Sequence, residues 1–152
     1  MTLSIRDILG LNNRFHVEVD GIDRGAWGAC KGLAVTFDLG KPIDQGGIYD
    51  HETYLPGQVK YEKITLERAI NPQHSMVVQG WLAQTIQNWI YSANGADSGG
   101  TAVITLFAAN AAPVMKWSLR NVYPTKWTGP ELDAASVGIA KEKLEFVHQG
   151  FL

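Results

Sequence analysis

Alternation of apolar and polar side chains marks most of this chain as strand, and one stretch changes rhythm to that of a helix. Phe15-His16-Val17-Glu18-Val19 alternates and runs into Asp20-Gly21, which predicts a strand ending in a tight reversal. Between Trp27 and Leu39 the pattern resumes, with Leu33, Val35 and Phe37 or Leu39 on one face. Gly32 within that run signals a bulge or a close backbone approach. Lys60 to Arg68 reads as another strand, with Ile64 and Leu66 inward. Thr101 to Phe107 is rich in β-formers, and Met115, Trp117 and Leu119 alternate with Lys116, Ser118 and Arg120. After breaks at Pro124 and Gly129-Pro130, a last strand covers Val137 to His148, with Leu144 and Phe146 opposite Lys141, Lys143 and Glu145.

Val78, Leu82, Thr85, Ile86 and Trp89 recur at helical spacing, predicting one helix over about residues 76–92 with Ser75 as its N-cap and Asn94-Gly95 as its stop. Leu82, Ile86 and Trp89 are then core residues, together with Trp117 and Leu119 from the strands. The opposite helix face carries Gln79, Ala83, Gln84, Gln87 and Asn88, polar yet uncharged. Such a face suits a protein–protein contact, because interface centres are depleted in charge. The Pro- and Gly-rich stretch from Gly40 to Gly57 is too long for a tight turn and predicts an extended functional loop over about residues 41–58. The sum is a mainly β fold, a small antiparallel β-barrel or sandwich with one helix.

Length and charge narrow this further. A chain of 152 residues fits one domain, 1–152. Charged residues make up 18% against 45% hydrophobic, fewer charges than a typical surface carries, which points to surface covered by partners. A net charge of -2 argues against a nucleic-acid footprint. From His74 to Ala96 there is no Asp, Glu, Lys or Arg, but Gln79, Gln84, Gln87 and Asn88 interrupt the run, so no membrane span is expected. Met1 to Leu11 holds Arg6 and Asp7 and no apolar run, so no signal peptide is expected either.

Chemistry is scarce. Asp97-Ser98-Gly99-Gly100 resembles a serine-protease nucleophile signature, but Ala96 replaces its leading glycine and the chain is too short for the two barrels such enzymes need. His51-Glu52 opens a zincin-like pattern whose second histidine position is Leu55. His16, His51, His74 and His148 stand singly, Cys30 is the lone cysteine, and no phosphate loop occurs. No catalytic residue, metal or cofactor is expected. Trp27 and Trp127 have the weakest core context of the five tryptophans, which keeps a monomeric ligand-binding β-barrel open as an alternative.

Five segments in order resemble the T4-like tail-tube protein family of contractile phage tails and extracellular injection systems. They are Phe15 to Gly21, Cys30-Lys31-Gly32-Leu33, Leu55-Pro56-Gly57 leading into Lys60 to Arg68, Pro124 to Pro130, and Lys143 to Gly150. The resemblance implies a fold shared with the hemolysin-coregulated protein of type VI secretion. It implies hexameric rings of the chain itself, stacked into a hollow, non-enzymatic tube driven through a target envelope. Its partners would be sheath, baseplate or spike, and tube-terminator proteins, with protein cargo or DNA in the lumen; its place would be an assembled particle. The family's inter-subunit and inter-ring loop maps onto Lys41 to Gln58, with Pro42, Ile43, Tyr49, Tyr54, Leu55, Pro56 and Gly57 as its contact residues. The sequence departs at Ala69, where the family often has glycine, and at Asn71-Pro72-Gln73-His74 before the helix. A secreted type VI ring carrying effectors is the nearest alternative.

Overall fold

The alternating segments pair antiparallel in the computed structural model, which describes residues 9–23, 27–42, 53–91 and 99–152. In chain order the strands are β1 (Gly10–Val19), β2 (Ile22–Asp23), β3 (Ala29–Lys31), β4 (Val35–Leu39), β5 (Pro56–Tyr61) and β6 (Ile64–Ala69). Helix α1 (Pro72–Tyr91) follows, then β7 (Gly100–Ala108), β8 (Pro113–Thr128) and β9 (Lys141–Val147). Seven strands form one continuous sheet in the order β2-β1-β7-β8-β9-β6-β3, and β4 and β5 form a separate two-stranded ribbon. The sheet is effectively two layers sharing β8, whose first part pairs with β7 and whose last part pairs with β9. Val17, Val19, Ile104 and Leu119 from one layer join Ile64, Leu66, Leu144 and Phe146 from the other in a single buried cluster. The result is a sandwich-like fold. Of the two architectures expected, the closed barrel is absent, since β2 and β3 lie at opposite ends of the strand order.

Local chemistry explains the turns. Asp20 (φ 54°) and Gly21 (φ 73°) both adopt left-handed backbone between the paired Val19 and Ile22, a two-residue reversal that suits strand twist. Asp20 is further fixed by accepting hydrogen bonds from Thr101 N (2.9 Å) and Trp81 Nε1 (3.2 Å). The two long strands expected at Trp27–Leu39 and Lys60–Arg68 are each broken in the middle. β3 and β6 belong to the sandwich, while β4 and β5 leave it as an arm. The break lies at Gly32 (φ 101°), where a Cβ would overlap the Lys63 carbonyl oxygen, so the close approach expected there is real. Gly32→Ala is expected to lower stability by about 1–3 kcal/mol, the usual cost of forcing an L side chain into such a conformation, as read from thermal unfolding.

α1 begins one turn earlier than expected. Asn71, not Ser75, is the cap: its Oδ1 accepts from Gln73 N (2.9 Å) and His74 N (3.3 Å), and Pro72 occupies the first helical position, where a missing N–H costs nothing. Ser75 lies inside the first turn, and its Oγ accepts from Asn71 N (3.1 Å). Asn71→Ala should therefore cost about 0.5–2 kcal/mol in a denaturant titration. The proposed stop at Asn94-Gly95 lies outside the described residues. The final strand is also shorter than expected, beginning at Lys141, with Val137 and Ile139 exposed in the segment before it. Among the described residues no helix is long and apolar enough to cross a membrane.

Candidate assembly surface

The β4–β5 arm exposes an apolar face. Its register pairs Val35 with Tyr61, Phe37 with Val59 and Leu39 with Pro56, and directly paired residues point to the same side of a ribbon. Phe37 is 65% exposed, Leu39 54% and Val59 46%, while Thr36, Asp38 and Lys60 alternate with them. Beyond the strands, Gly40 N donates to Leu55 O (3.0 Å), and Tyr54 and Leu55 are also exposed. An isolated two-stranded ribbon is marginal in water, and this one turns its greasy side outward. Of the loop residues expected to make contacts, Pro42, Tyr54, Leu55, Pro56 and Gly57 lie at or near this arm. Ile43 and Tyr49 lie outside the described residues. The expected loop over 41–58 is corrected at its end, because Pro56 and Gly57 already belong to β5.

The helix supplies a second patch. Val78 is fully buried and Trp81 and Leu82 pack on the core, while Thr85 Oγ1 bonds back to Trp81 O (2.9 Å). Beyond that turn the expected core face fails: Ile86 and Trp89 are 55% and 49% exposed. Ile90 and Tyr91 in the last turn of the helix are exposed as well among the described residues. Trp89 reaches only the rim, 6.2 Å from the Tyr123 ring. Between this end and β8 lies a groove of about 370 Å³ lined by Leu82, Ile86, Trp89, Pro124 and Trp127. Gln79, Ala83, Gln84, Gln87 and Asn88 are all exposed beside it, with Gln84 Nε2 donating to Asn88 Oδ1 (3.2 Å). Trp117 is half-buried against the core and Leu119 is buried. The two tryptophans with the weakest context part ways, Trp27 buried and Trp127 exposed.

Behind these patches sits a buried charge pair that the sequence reading did not single out. Arg68 Nε donates to Glu142 Oε1 at 2.6 Å across the directly paired β6 and β9. Glu142 also accepts from Ser75 Oγ (2.7 Å) and Trp127 Nε1 (3.1 Å), Arg68 Nη2 donates to His74 O (2.9 Å), and the guanidinium lies 4.0 Å from the Trp27 ring centroid. Burial raises the Glu142 pKa, but the hydrogen bonds from Ser75, Arg68 and Trp127 and the Arg68 charge outweigh it, holding the carboxyl below its ordinary 4.5. One pair thus ties the helix start, β6, β9, the end of β8 and two tryptophans together. The signal was present: Arg68 falls on the inward phase of Ile64 and Leu66, and Glu142 on that of Leu144 and Phe146. Cys30 offers no contrary chemistry, since burial pushes its thiol up to about 11. Among the described residues no three His, Cys, Asp or Glu side chains gather as a metal site would need.

An apolar arm and an exposed helix end, with no metal-type cluster among the described residues, describe a surface suited to contact. The family profile described as "T4-like virus tail tube protein gp19" matches residues 11–152. The chain belongs to the T4-like virus tail tube protein family. No curated protein matches it. Among solved structures, a chain of the PVC extracellular contractile injection system sheath-tube complex, in the extended state, superposes with a TM-score of 0.71 at 23% identity, over 97% of this chain and 95% of that one. A chain of the anti-feeding prophage tube-terminating cap gives 0.68 at 21%, covering 99% and 95%. A chain of the anti-feeding prophage baseplate gives 0.67 at 22%, covering 93% and 92%. At these identities the likeness establishes the tail-tube fold and nothing finer.

Proposed function

We propose that this tail-tube chain is the inner-tube subunit of a contractile injection apparatus, assembling as hexameric rings that stack into a hollow, non-catalytic conduit. The family match along residues 11–152 carries the reading. The exposed apolar face of the arm gives it a physical cause: Phe37, Leu39 and Val59, exposed among the described residues, gain by burial against another copy. β3 ends the sheet on one side with three residues, and continuing that sheet into a neighbour is the natural lateral contact. The arm, together with the Lys41 to Gln58 contact segment, makes the axial one. The uncharged helix face of Gln79, Ala83, Gln84, Gln87 and Asn88 lies against another part of the assembly. Sheath, terminator and baseplate proteins are the further partners, by analogy with the particles in which its structural relatives stand.

Size-exclusion chromatography followed by negative-stain microscopy tests this directly. Rings or tubes of the purified chain support it. A single copy that persists at high concentration overturns it, and a ring that never stacks favours the secreted type VI reading.

A further inference from the structure

His148, just past β9, stands opposite Glu62 two residues beyond Ile64↔Phe146, the last pair of the β6–β9 ladder. On one side its Nδ1 accepts from Gly150 N (3.2 Å), which forces a neutral ring with the proton on Nε2. That Nε2–H faces Glu62 O (3.1 Å), in the corner where the arm leaves the sandwich. The ring also packs at 5.5 Å from Tyr61, the last residue of β5, and 5.9 Å from Phe151, while Tyr61 and Phe151 meet edge-on at 5.2 Å. The segment 148–152 is otherwise stitched to β8: Gln149 N donates to Arg120 O, Arg120 N to Gly150 O, and Arg120 Nη1 to Leu152 O (2.8 Å). Gly150 (φ 134°) is required there, because a Cβ would meet Arg120 Nη2 at 2.5 Å and the Tyr61 ring at 2.9 Å.

We propose that His148 is a proton-operated latch, closed when neutral, that clips segment 148–152 to the root of the arm and releases it on acidification. A proton on Nδ1 would set donor against donor at Gly150 N–H and would place a second cation near Arg120, the charged group facing it from β8. Tyr61 from β5 and Phe151 offer only ring faces, and Glu62 presents its carbonyl. Burial lowers the His148 pKa below 6.5 and the Arg120 charge acts in the same direction, outweighing the backbone hydrogen bonds with Glu62 and Gly150, which raise it. The sign follows. A group held neutral by folding contributes fully above the ordinary histidine pKa of about 6.5, and that contribution is lost as pH falls below it.

Imidazole C2–H deuterium exchange, read by mass spectrometry, titrates each histidine of the intact chain, and amide exchange of peptides covering 59–63 and 148–152 reports the latch. His148 should titrate below 6.5, and amide exchange in both peptides, corrected for intrinsic chemistry, should accelerate about tenfold between neutral pH and pH about 5. His148→Phe keeps the ring and removes the proton, so its exchange should not change with pH. Titration of His148 at or above 6.5, or the same acceleration in His148→Phe, overturns the proposal. If that variant does not fold, the wild-type titration alone decides.

Discussion

Glu142→Ala should destabilise the subunit by about 3–5 kcal/mol, the usual result of stripping one partner from a buried ion pair. Arg68, with its side chain 3% exposed, would keep its charge and lose its nearest anion, and Ser75 Oγ and Trp127 Nε1 would lose their acceptor as well. Against a typical stability of roughly 5–15 kcal/mol, that is enough to leave a substantial unfolded fraction. Urea titration of the soluble subunit measures it, and a shift under about 1 kcal/mol would contradict the role assigned to the pair. The double replacement Arg68→Met, Glu142→Leu should recover most of the loss, since it leaves neither charge uncompensated. The pair also fixes an acid dependence. Because folding holds the Glu142 carboxyl below 4.5, its contribution is present above that pH and lost as pH falls below it.

The second large effect is on assembly. Exchanging the cross-strand apolar pair of the arm for a charged one, Phe37→Lys with Val59→Glu, should abolish tube formation while changing subunit stability by no more than about 0.5 kcal/mol. Phe37 is 65% and Val59 46% exposed, so folding loses little, and opposite charges directly across a ribbon keep its pairing. Negative-stain microscopy and thermal unfolding on the same preparation separate the two readouts. Normal tubes from the charged variant would show that the arm is not the axial contact.

Much of the sandwich is legible in the alternation of Val17 with Val19, Ile64 with Leu66 and Leu144 with Phe146, because period-two burial leaves little freedom of register. What escaped has specific causes. The kink between sandwich and arm depends on Gly32 meeting the Lys63 carbonyl, thirty-one positions along the chain by residue number, which no local window sees. Ser75 suits a helix cap by residue type, but Asn71 does so too, and Pro72 after it fits the first helical position. Ile86 and Trp89 have the right spacing for a core, but spacing reveals a helix face and not how far the sheet beneath extends. Glu142 was passed over because its neighbours Lys141 and Lys143 make the segment look wet, although its phase is inward.

β8 is sixteen residues long and belongs to both layers, breaking its regular pairing around Asn121 (φ 50°), where it passes from β7 to β9. A force that drags one layer past the other must therefore stretch a covalent backbone, rather than slide one greasy surface over another. In this tail-tube chain that single strand acts as the tie rod, and shear resistance is built into the connectivity before any neighbour lends support.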